Sequence, residues 1–272
     1  MKKLNFGCGD RIANGWVNID FHSADKRVKR VNLLKGFPYP DNSFDVVYSS
    51  HVLEHFTLDQ ALFVLKEAWR VLKPGGIVRI VVPDLAGTCR EYLRILALAD
   101  DDPRKASQYE WILIELLDQL VRGRSGGRMG PFFQVAMNGP DREFAKYVQS
   151  RVQNTLLGGS DGKREHFFER LKRLSMRKVV SKLTMLYLSC VKRLVPRDLR
   201  SMVFIETGIG ERHRWMYDEY GLGLLFEQVG FRELRSLSFN ETKIEGFNDD
   251  CLDCTPDGVS YKNNSIYFEA VK

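Results

Sequence analysis

The chain has 272 residues, of which 44% are hydrophobic and 28% are charged. This composition is typical of a globular protein with a buried core. No stretch of about 18 consecutive apolar residues occurs, so a membrane span is not expected. The N-terminus lacks the apolar core and cleavage site of a signal peptide, which predicts a cytoplasmic protein. Five scattered cysteines, an odd number, do not favour a disulfide framework.

The formal net charge of +6 is concentrated in one segment. Residues 163–200 contain twelve Lys or Arg against three Asp or Glu, mixed with apolar residues. Three interpretations follow, in order of preference. The segment forms an amphipathic lid helix with a solvated basic face, an interfacial helix on anionic lipid, or a basic surface for phosphate-rich substrates including nucleic acid. No RNA-binding motif accompanies the segment, so nucleic acid is not a favoured partner, and peripheral membrane contact is a possible one.

Residues 1–85 alternate strand-like and helix-like patterns, which predicts an α/β fold with a mainly parallel sheet flanked by helices. A helix is expected to begin at Thr57, where Gln60 completes a capping box, and to stop at Pro74-Gly75-Gly76. An apolar stripe at spacings of three and four supports this helix. The predicted strands are residues 3–6, 17–21, 30–33, 44–50 and 77–82.

Residues 86–206 read differently, as a large helical insertion after the fifth strand. Residues 207–272 are expected to complete the core sheet with one further helix and two strands. The predicted helices of the insertion are residues 91–99, 107–122, 142–156 and 164–194, and the later elements are a helix at 218–229 and strands at 231–239 and 265–271.

Five ordered segments between residues 4 and 85 carry recognisable motifs. They are the glycine turn Leu4-Asn5-Phe6-Gly7-Cys8-Gly9, the acidic strand end Asn18-Ile19-Asp20, residues 38–47, the turn His51-Val52-Leu53-Glu54-His55 and the helix stop Leu72-Lys73-Pro74-Gly75-Gly76. Together they resemble class I (Rossmann-like) S-adenosylmethionine-dependent methyltransferases, and the resemblance resumes at residues 224–231. The resemblance implies a Rossmann-like core, S-adenosylmethionine as cofactor and S-adenosylhomocysteine as product. It does not cover residues 86–206.

The motif residues also suit this cofactor chemically. Glycines at 7 and 9 let the backbone approach closely, so that N–H groups can meet the methionine carboxylate. In an open parallel sheet such a ligand lies beyond the carboxyl ends of the strands. Asp20 can accept hydrogen bonds from both ribose hydroxyls, and Asn32 and Leu33 can contact the adenine. The predicted cofactor-binding residues are Phe6, Gly7, Cys8, Gly9, Asp20, Asn32, Leu33, Ser49, Ser50 and His51.

The sequence departs from the family pattern in two places. Only seven residues separate Gly9 from Val17, too few for the full helix that the family usually places there. Asn5 and Asn32 stand where many members carry acids. A neutral Asn5 would weaken any ion pair with the ammonium group of the cofactor.

Two short patterns invite a metal interpretation. His51, Glu54 and His55 form the inverted zinc motif, and Cys251 and Cys254 have the spacing of a zinc knuckle. No further ligand is evident near either pattern, so no metal is expected.

The methyl group is already activated by the sulfonium, so the protein has only to hold the acceptor in line and remove a proton. His213 suits proton abstraction near neutral pH, although a helix-entry hydrogen bond explains it equally well. Asp84 follows a strand end, and Tyr217 either orients the acceptor or packs in the core. His213, Asp84 and Tyr217 are therefore the candidate catalytic residues.

The predicted activity is methyl transfer to an oxygen, less readily a nitrogen, of a small molecule, sugar or peptide-like metabolite. The alternatives are a non-catalytic binding module that keeps the fold, or a methyltransferase acting on nucleic acid or at a membrane surface. The shortened link after Gly9 and the two asparagines keep the binding module open.

Overall fold

The computed structural model of the chain describes residues 1–23, 25–152, 176–197, 199, 200, 204–208 and 210–272. At its centre lies a seven-stranded sheet. Strands β1 to β7 are Lys3–Phe6, Val17–Asp20, Val28–Arg30, Phe44–Ser50, Leu72–Pro83, Arg232–Leu237 and Ser265–Val271. Their order across the sheet is β3-β2-β1-β4-β5-β7-β6.

The first five strands run parallel to one another, whereas β7 runs antiparallel to both β5 and β6. The predicted mainly parallel, Rossmann-like sheet is therefore confirmed. The chain runs outward from β1 to β3 and then returns to β4 on the other side of β1. Ligands of open parallel sheets bind at such a reversal, beyond the carboxyl ends of the strands.

Helices cover one face of the sheet. The α-helices of the described residues, α1 to α7, are Leu58–Val71, Leu85–Ala99, Ala106–Val121, Met129–Asn138, Arg142–Arg151, Met176–Leu194 and Glu219–Val229. Helix α1 begins with the predicted capping box, in which the Thr57 side chain accepts from the Gln60 N–H and the Gln60 side chain accepts from the Thr57 N–H. Leu65 of α1 and Phe226 of α7 are fully buried in the core of this face.

The opposite face near β1 and β4 is covered without a helix between β1 and β2, as the short link predicts. Ala13 and Trp16 of this link pack with Tyr48, Phe247 and Leu252. The link is fastened by buried amides. Asn5 donates to the Arg11 carbonyl at 2.8 Å and to the Asn18 side chain at 3.1 Å. The neutral residue at position 5 therefore supports the link.

A buried ionic cluster lies on the same face. The fully buried Arg79 of β5 donates to Asp253 at 2.7 Å and to Glu269 at 2.7 Å. Tyr48 donates to the other oxygen of Asp253 at 2.6 Å. Because buried charges are stable only when paired, this cluster ties the segment around residue 253 to the sheet.

The segment after β5 is helical where it is described. Helices α3, α4 and α5 pack around Trp111, Ala136, Phe144 and Val148, and α2 packs on α3. No helix of the described residues is long and apolar enough to cross a membrane. The predicted helices at 142–156 and 164–194 extend into residues 153–175, which lie outside the described part.

Several predicted boundaries were wrong. The third strand, predicted at 30–33, is Val28–Arg30, because the Asn32 side chain accepts from the Leu34 N–H and begins a 3₁₀ turn. The second strand stops at Asp20, whose carboxylate accepts from the His22 N–H. Helix α4 was missed, since glycines precede it, and α2 begins six residues earlier than predicted. Pro74-Gly75-Gly76 ends α1 but lies within the long strand β5.

Candidate functional site

The glycine turn after β1 requires glycine at position 7. Gly7 has φ +64° and Gly9 has φ +49°, values in the left-handed region that favours glycine. A Cβ on Gly7 would lie 2.3 Å from Cγ2 of Val52, whereas one on Gly9 would have nothing within 4 Å. Position 7 is thus restricted by both backbone and packing, and the turn is held against the segment that follows β4.

The backbone N–H groups of this turn are already bonded within the protein. The Gly7 N–H donates to the Ile19 carbonyl at 2.8 Å, and the Gly9 N–H donates to Oδ2 of Asp20 at 2.9 Å. The expectation that the N–H groups of Gly7 and Gly9 meet a ligand carboxylate is therefore not supported. Asp20 also accepts from the His22 N–H at 2.8 Å. A carboxylate offers about four acceptor positions, so Asp20 keeps the capacity to accept from two hydroxyls.

Three of the predicted cofactor residues are largely buried. Phe6 is fully buried and packs against Phe37 with the rings tilted and their centroids 5.2 Å apart, and Leu33 is 6% exposed. Cys8 is also buried, and burial together with the neighbouring Asp20 raises the pKa of its thiol to about 12. Their side chains therefore pack beneath the turns and do not face solvent. With its raised pKa, the Cys8 thiol stays protonated and is not a nucleophile.

The end of β4 brings polar groups to the same edge. The Ser49 hydroxyl is buried and has no hydrogen-bond partner among the described residues. His51 has φ +54°, and its N–H donates to the Val81 carbonyl at 2.8 Å. Its Nε2 lies 2.9 Å from the Ser265 hydroxyl. Desolvation holds the pKa of His51 well below its ordinary value, so its ring is neutral.

The four predicted turns meet at one edge of the sheet. Gly9 is bonded to Asp20, and the Val31 N–H donates to the Asp20 carbonyl at 2.8 Å, which places Asn32 beside it. Gly7 contacts Val52, next to His51. These contacts bring the four turns together, and that they hold a nucleoside and an amino acid stays a prediction.

A cavity of about 280 Å³ opens next to His51. Polar side chains from α3, the end of α5 and the turn before β7 surround it, together with Trp111. Its charged groups are paired, because Arg151 donates to Glu115 at 2.6 Å and Arg122 donates to Asp118 at 2.6 Å. The polar residues lining it are His51, Thr88, Glu115, Gln119, Arg122, Arg151, His213, Asn263 and Asn264.

Among the three candidate catalytic residues, His213 lines this cavity and the other two do not. The His213 N–H donates to the Gln119 carbonyl at 3.0 Å, and its Nε2 lies 3.0 Å from the Gln119 side-chain nitrogen. Desolvation lowers the pKa of His213 to about 3, with a smaller contribution from His55. The ring is therefore neutral at physiological pH, and it is a weak base.

Asp84 and Tyr217 lie elsewhere. Asp84 precedes α2 beside Arg90, at 3.6 Å, and lines a separate pocket with Asp218. Tyr217 is 2% exposed, and its hydroxyl lies 3.5 Å from the Leu53 carbonyl. This placement favours the packing alternative for Tyr217 over contact with an acceptor.

Comparison with known proteins identifies the core. Residues 14–80 match the family model of a methyltransferase domain. About a quarter of the chain is therefore similar to a methyltransferase domain. The family implies S-adenosylmethionine as cofactor. The match begins at residue 14, after the glycine turn. The assignment of that turn to the cofactor site therefore depends on its geometry and not on the family model.

Curated relatives align with this chain over short segments. A probable methyltransferase, ltbC, of Aspergillus luteorubrus is 50% identical over 48 residues, which are 17% of each chain. A probable S-adenosylmethionine-dependent methyltransferase of Mycolicibacterium smegmatis is 35% identical over 98 residues, 30% of this chain and 37% of the relative. The chain thus spans less than two fifths of either relative. A solved methyltransferase of Methanosarcina mazei is 13% identical, with a TM-score of 0.39 over 99% of this chain and 92% of its own.

Most of the residues that line the cavity beside His51 were not predicted from the sequence. Gln119 and Arg151 lie on predicted helices whose sequence shows only ordinary polar faces. Asn263 and Asn264 precede β7, and Asn264 has φ +53°. Asparagine tolerates that conformation, so the pair reads as a turn. No local pattern signals that these residues meet.

Proposed function

We propose that this chain transfers the methyl group of S-adenosylmethionine to an oxygen, less readily a nitrogen, of a small polar acceptor such as a sugar. The observation that carries the proposal is the cavity beside His51, in which polar side chains are set into a mostly apolar wall. Its volume of about 280 Å³ is at the lower end of small-molecule sites, roughly 300–1,000 Å³. One sugar unit or a small metabolite suits this volume better than a macromolecule.

The charges around the cavity favour a neutral acceptor. Arg151 and Arg122 are each held by a carboxylate, Glu115 and Asp118. An anionic group would have to compete with these carboxylates, which weakens its binding. Neutral hydroxyls, in contrast, can bond to the amides of Gln119 and Asn264 without breaking an ion pair. The Trp111 ring in the wall adds an apolar surface of the kind on which a sugar ring can pack.

The neutral His213 supports a hydrogen-bonding role next to the acceptor. With a pKa of about 3, it cannot hold a proton near neutral pH unless its surroundings change. A hydroxyl oriented by His213 and Gln119 would face the sulfonium side of the cradle. In this proposal the two residues position the acceptor. The bond from sulfur to the methyl carbon would break as the bond from the acceptor oxygen to that carbon forms, and the hydroxyl proton would be lost to solvent.

The test separates cofactor binding from acceptor binding. Calorimetric titration with S-adenosylmethionine and with S-adenosylhomocysteine is expected to give micromolar affinity, and methyl transfer is then measured over a panel of sugars and small alcohols. Gln119→Leu should raise the KM for the acceptor without changing the Kd for the cofactor. Gln134→Leu, on an exposed face of α4, is the matched control.

Two results would contradict the proposal that the chain is an enzyme. Failure to bind either cofactor form would favour a module that keeps the fold without its ligand. Cofactor binding without methyl transfer to any acceptor, together with the same cofactor Kd in Gln119→Leu and Gln134→Leu, would favour a non-catalytic cofactor-binding protein.

A second candidate, a methyltransferase that works at a membrane surface, is favoured by α6. This helix carries five basic residues and no acidic one, and Leu183 and Leu186 are 60% and 63% exposed. An exposed apolar face on a basic helix is typical of an interfacial helix on anionic lipid. Sedimentation with anionic vesicles should be lost in Leu183→Ser/Leu186→Ser and retained in the control Leu93→Ser. Equal sedimentation of both would refute this candidate.

A further inference from the structure

Three side chains outside the predicted cofactor turns form a compact cluster. Each of Glu54, His55 and His213 offers one ligand atom, and these atoms all lie within 4.8 Å of one another. Glu54 is fully buried. Neither of its carboxylate oxygens has a hydrogen-bond partner among the described residues. A buried carboxylate left without hydrogen bonds is strongly unfavourable unless a cation accompanies it or it takes up a proton, so Glu54 requires an explanation.

The backbone holds the cluster from two directions. The Arg214 N–H donates to the Glu54 carbonyl at 2.6 Å, which brings the segment carrying His213 against the turn carrying Glu54 and His55. Nδ1 of His55 lies 2.9 Å from the Arg212 carbonyl, so this nitrogen is the donor. Nε2 of His55 is then the unprotonated nitrogen of the neutral ring, and it lies 4.0 Å from Oε1 of Glu54. A carbonyl behind a histidine fixes the same tautomer in metal sites.

We propose that Glu54, His55 and His213 bind one divalent transition-metal ion, with Zn²⁺ as the ion that best suits two imidazoles and a carboxylate. This ligand set leaves a coordination position open. With bonds of about 2.1 Å, tetrahedral ligand atoms lie about 3.4 Å apart, so the side chains have to close by about 1 Å. The sequence suggested no metal because it showed no third ligand; His213 supplies it from a distant part of the chain.

Two other groups stand near Glu54 and are the competing explanation. Nδ1 of His51 lies 3.4 Å from Oε1 of Glu54, and Lys262 is close enough for its charge to act on the same carboxylate. Lys262 could balance Glu54 without a metal. It would not explain why two further imidazoles converge on the carboxylate, which is why the metal is preferred.

The site would communicate with the cavity through His213, which belongs to both. An ion bound there could offer its open position to an oxygen of a molecule in the cavity. The binding proposal itself does not depend on methyl transfer, because it is tested without acceptor or cofactor.

The experiment uses the full chain without a histidine tag, stripped with a chelator and dialysed. Zn²⁺ is titrated in competition with a chromophoric chelator, and Co²⁺ is added separately to record its visible absorption. We expect one ion per chain. Glu54→Gln and His213→Asn should each weaken Zn²⁺ binding by at least roughly 10-fold and reduce the Co²⁺ absorption. Zn²⁺ should raise the Tm of the unmodified protein but not that of these variants.

Two controls locate the ion. His22→Ala changes an exposed histidine, and Cys254→Ser removes one thiol of the closely spaced pair Cys251 and Cys254, which could capture Zn²⁺. Both variants should bind as the unmodified protein does. Circular dichroism verifies folding, and His55→Asn replaces Glu54→Gln should the latter fail to fold. Absence of stoichiometric binding, unchanged affinity in the cluster variants, or loss of binding in Cys254→Ser would each overturn the proposal.

Discussion

Substitution of Gly7 by alanine offers a sharp test of how the cofactor edge is built. At φ +64°, an alanine adopts the left-handed conformation at a cost of roughly 1–2 kcal/mol. Its Cβ would also lie 2.3 Å from Cγ2 of Val52. Relieving such an overlap in a packed region costs about 1–3 kcal/mol. The free energy of unfolding should therefore fall by about 2–5 kcal/mol, a large part of the 5–15 kcal/mol typical of a domain.

Gly9→Ala separates the two contributions. Gly9 also has a positive φ, +49°, but a Cβ there meets nothing within 4 Å. Only the conformational contribution of roughly 1–2 kcal/mol should remain. Shortening the neighbour in Gly7→Ala/Val52→Ala should recover the overlap part, giving a coupling free energy of about 1–3 kcal/mol between the two positions.

The assay is urea unfolding, followed by circular dichroism, of the unmodified protein, Gly7→Ala, Gly9→Ala, Val52→Ala and Gly7→Ala/Val52→Ala. It is combined with titration by S-adenosylmethionine. Gly7→Ala should lose both stability and cofactor affinity, because the turn is displaced from the segment carrying His51. The reasoning is refuted should Gly7→Ala be no less stable than Gly9→Ala, or should the double variant show no coupling.

Three further predictions concern stability and turnover. Arg79→Met leaves Asp253 and Glu269 without a cation in the core and should destabilise the protein by about 3–5 kcal/mol. The control Arg94→Met breaks a surface ion pair with Glu91 and should change stability by at most about 1 kcal/mol in the same urea assay. Similar losses of stability in the two variants would argue against the buried cluster. The hydrogen bond from Arg70 holds the pKa of Glu67 below its ordinary value of 4.5, so the stability it contributes is present above that value and is lost as the pH falls through the lowered pKa. Urea midpoints of Glu67→Gln should accordingly decline less on acidification than those of the unmodified protein, and parallel declines would contradict the assignment. His213→Ala should retain cofactor binding by calorimetry but lose methyl transfer; unchanged turnover would remove His213 from the acceptor site.

The sequence was sufficient for the parallel core because its signals there are local and agree with one another. Val46 and Val47 of β4 lie in a continuous apolar run that only a buried strand accommodates, and Thr57 with Gln60 specifies where α1 begins. The sequence was insufficient where a side chain hydrogen-bonds to the backbone and so ends a strand early. The pattern of apolar residues gives no sign that Asn32 ends β3. The Asn32 side chain accepts from the Leu34 N–H and so begins a 3₁₀ turn.

Residue types at the cofactor edge were predictable, whereas their hydrogen-bond partners were not. Gly7 and His51 follow strands and Asp20 ends one. The carboxyl ends of these strands meet at one edge, so the proximity of the three residues follows from topology. The bond from the Gly9 N–H to Asp20 depends on the short link between β1 and β2. The cluster of Glu54 and His213 depends on contacts between distant segments, which periodicity cannot reveal.

The layer beneath β1 and β4 has an implication for biosynthesis. Trp16 and Tyr48 are covered by Phe247 and Leu252, and β5 has the last strand, β7, as a neighbour. These partners leave the ribosome long after Trp16 and Tyr48 do, so the emerging sheet has to wait with part of its apolar surface uncovered. Such long-range pairing slows folding, and the waiting chain presents a surface to which chaperones can bind.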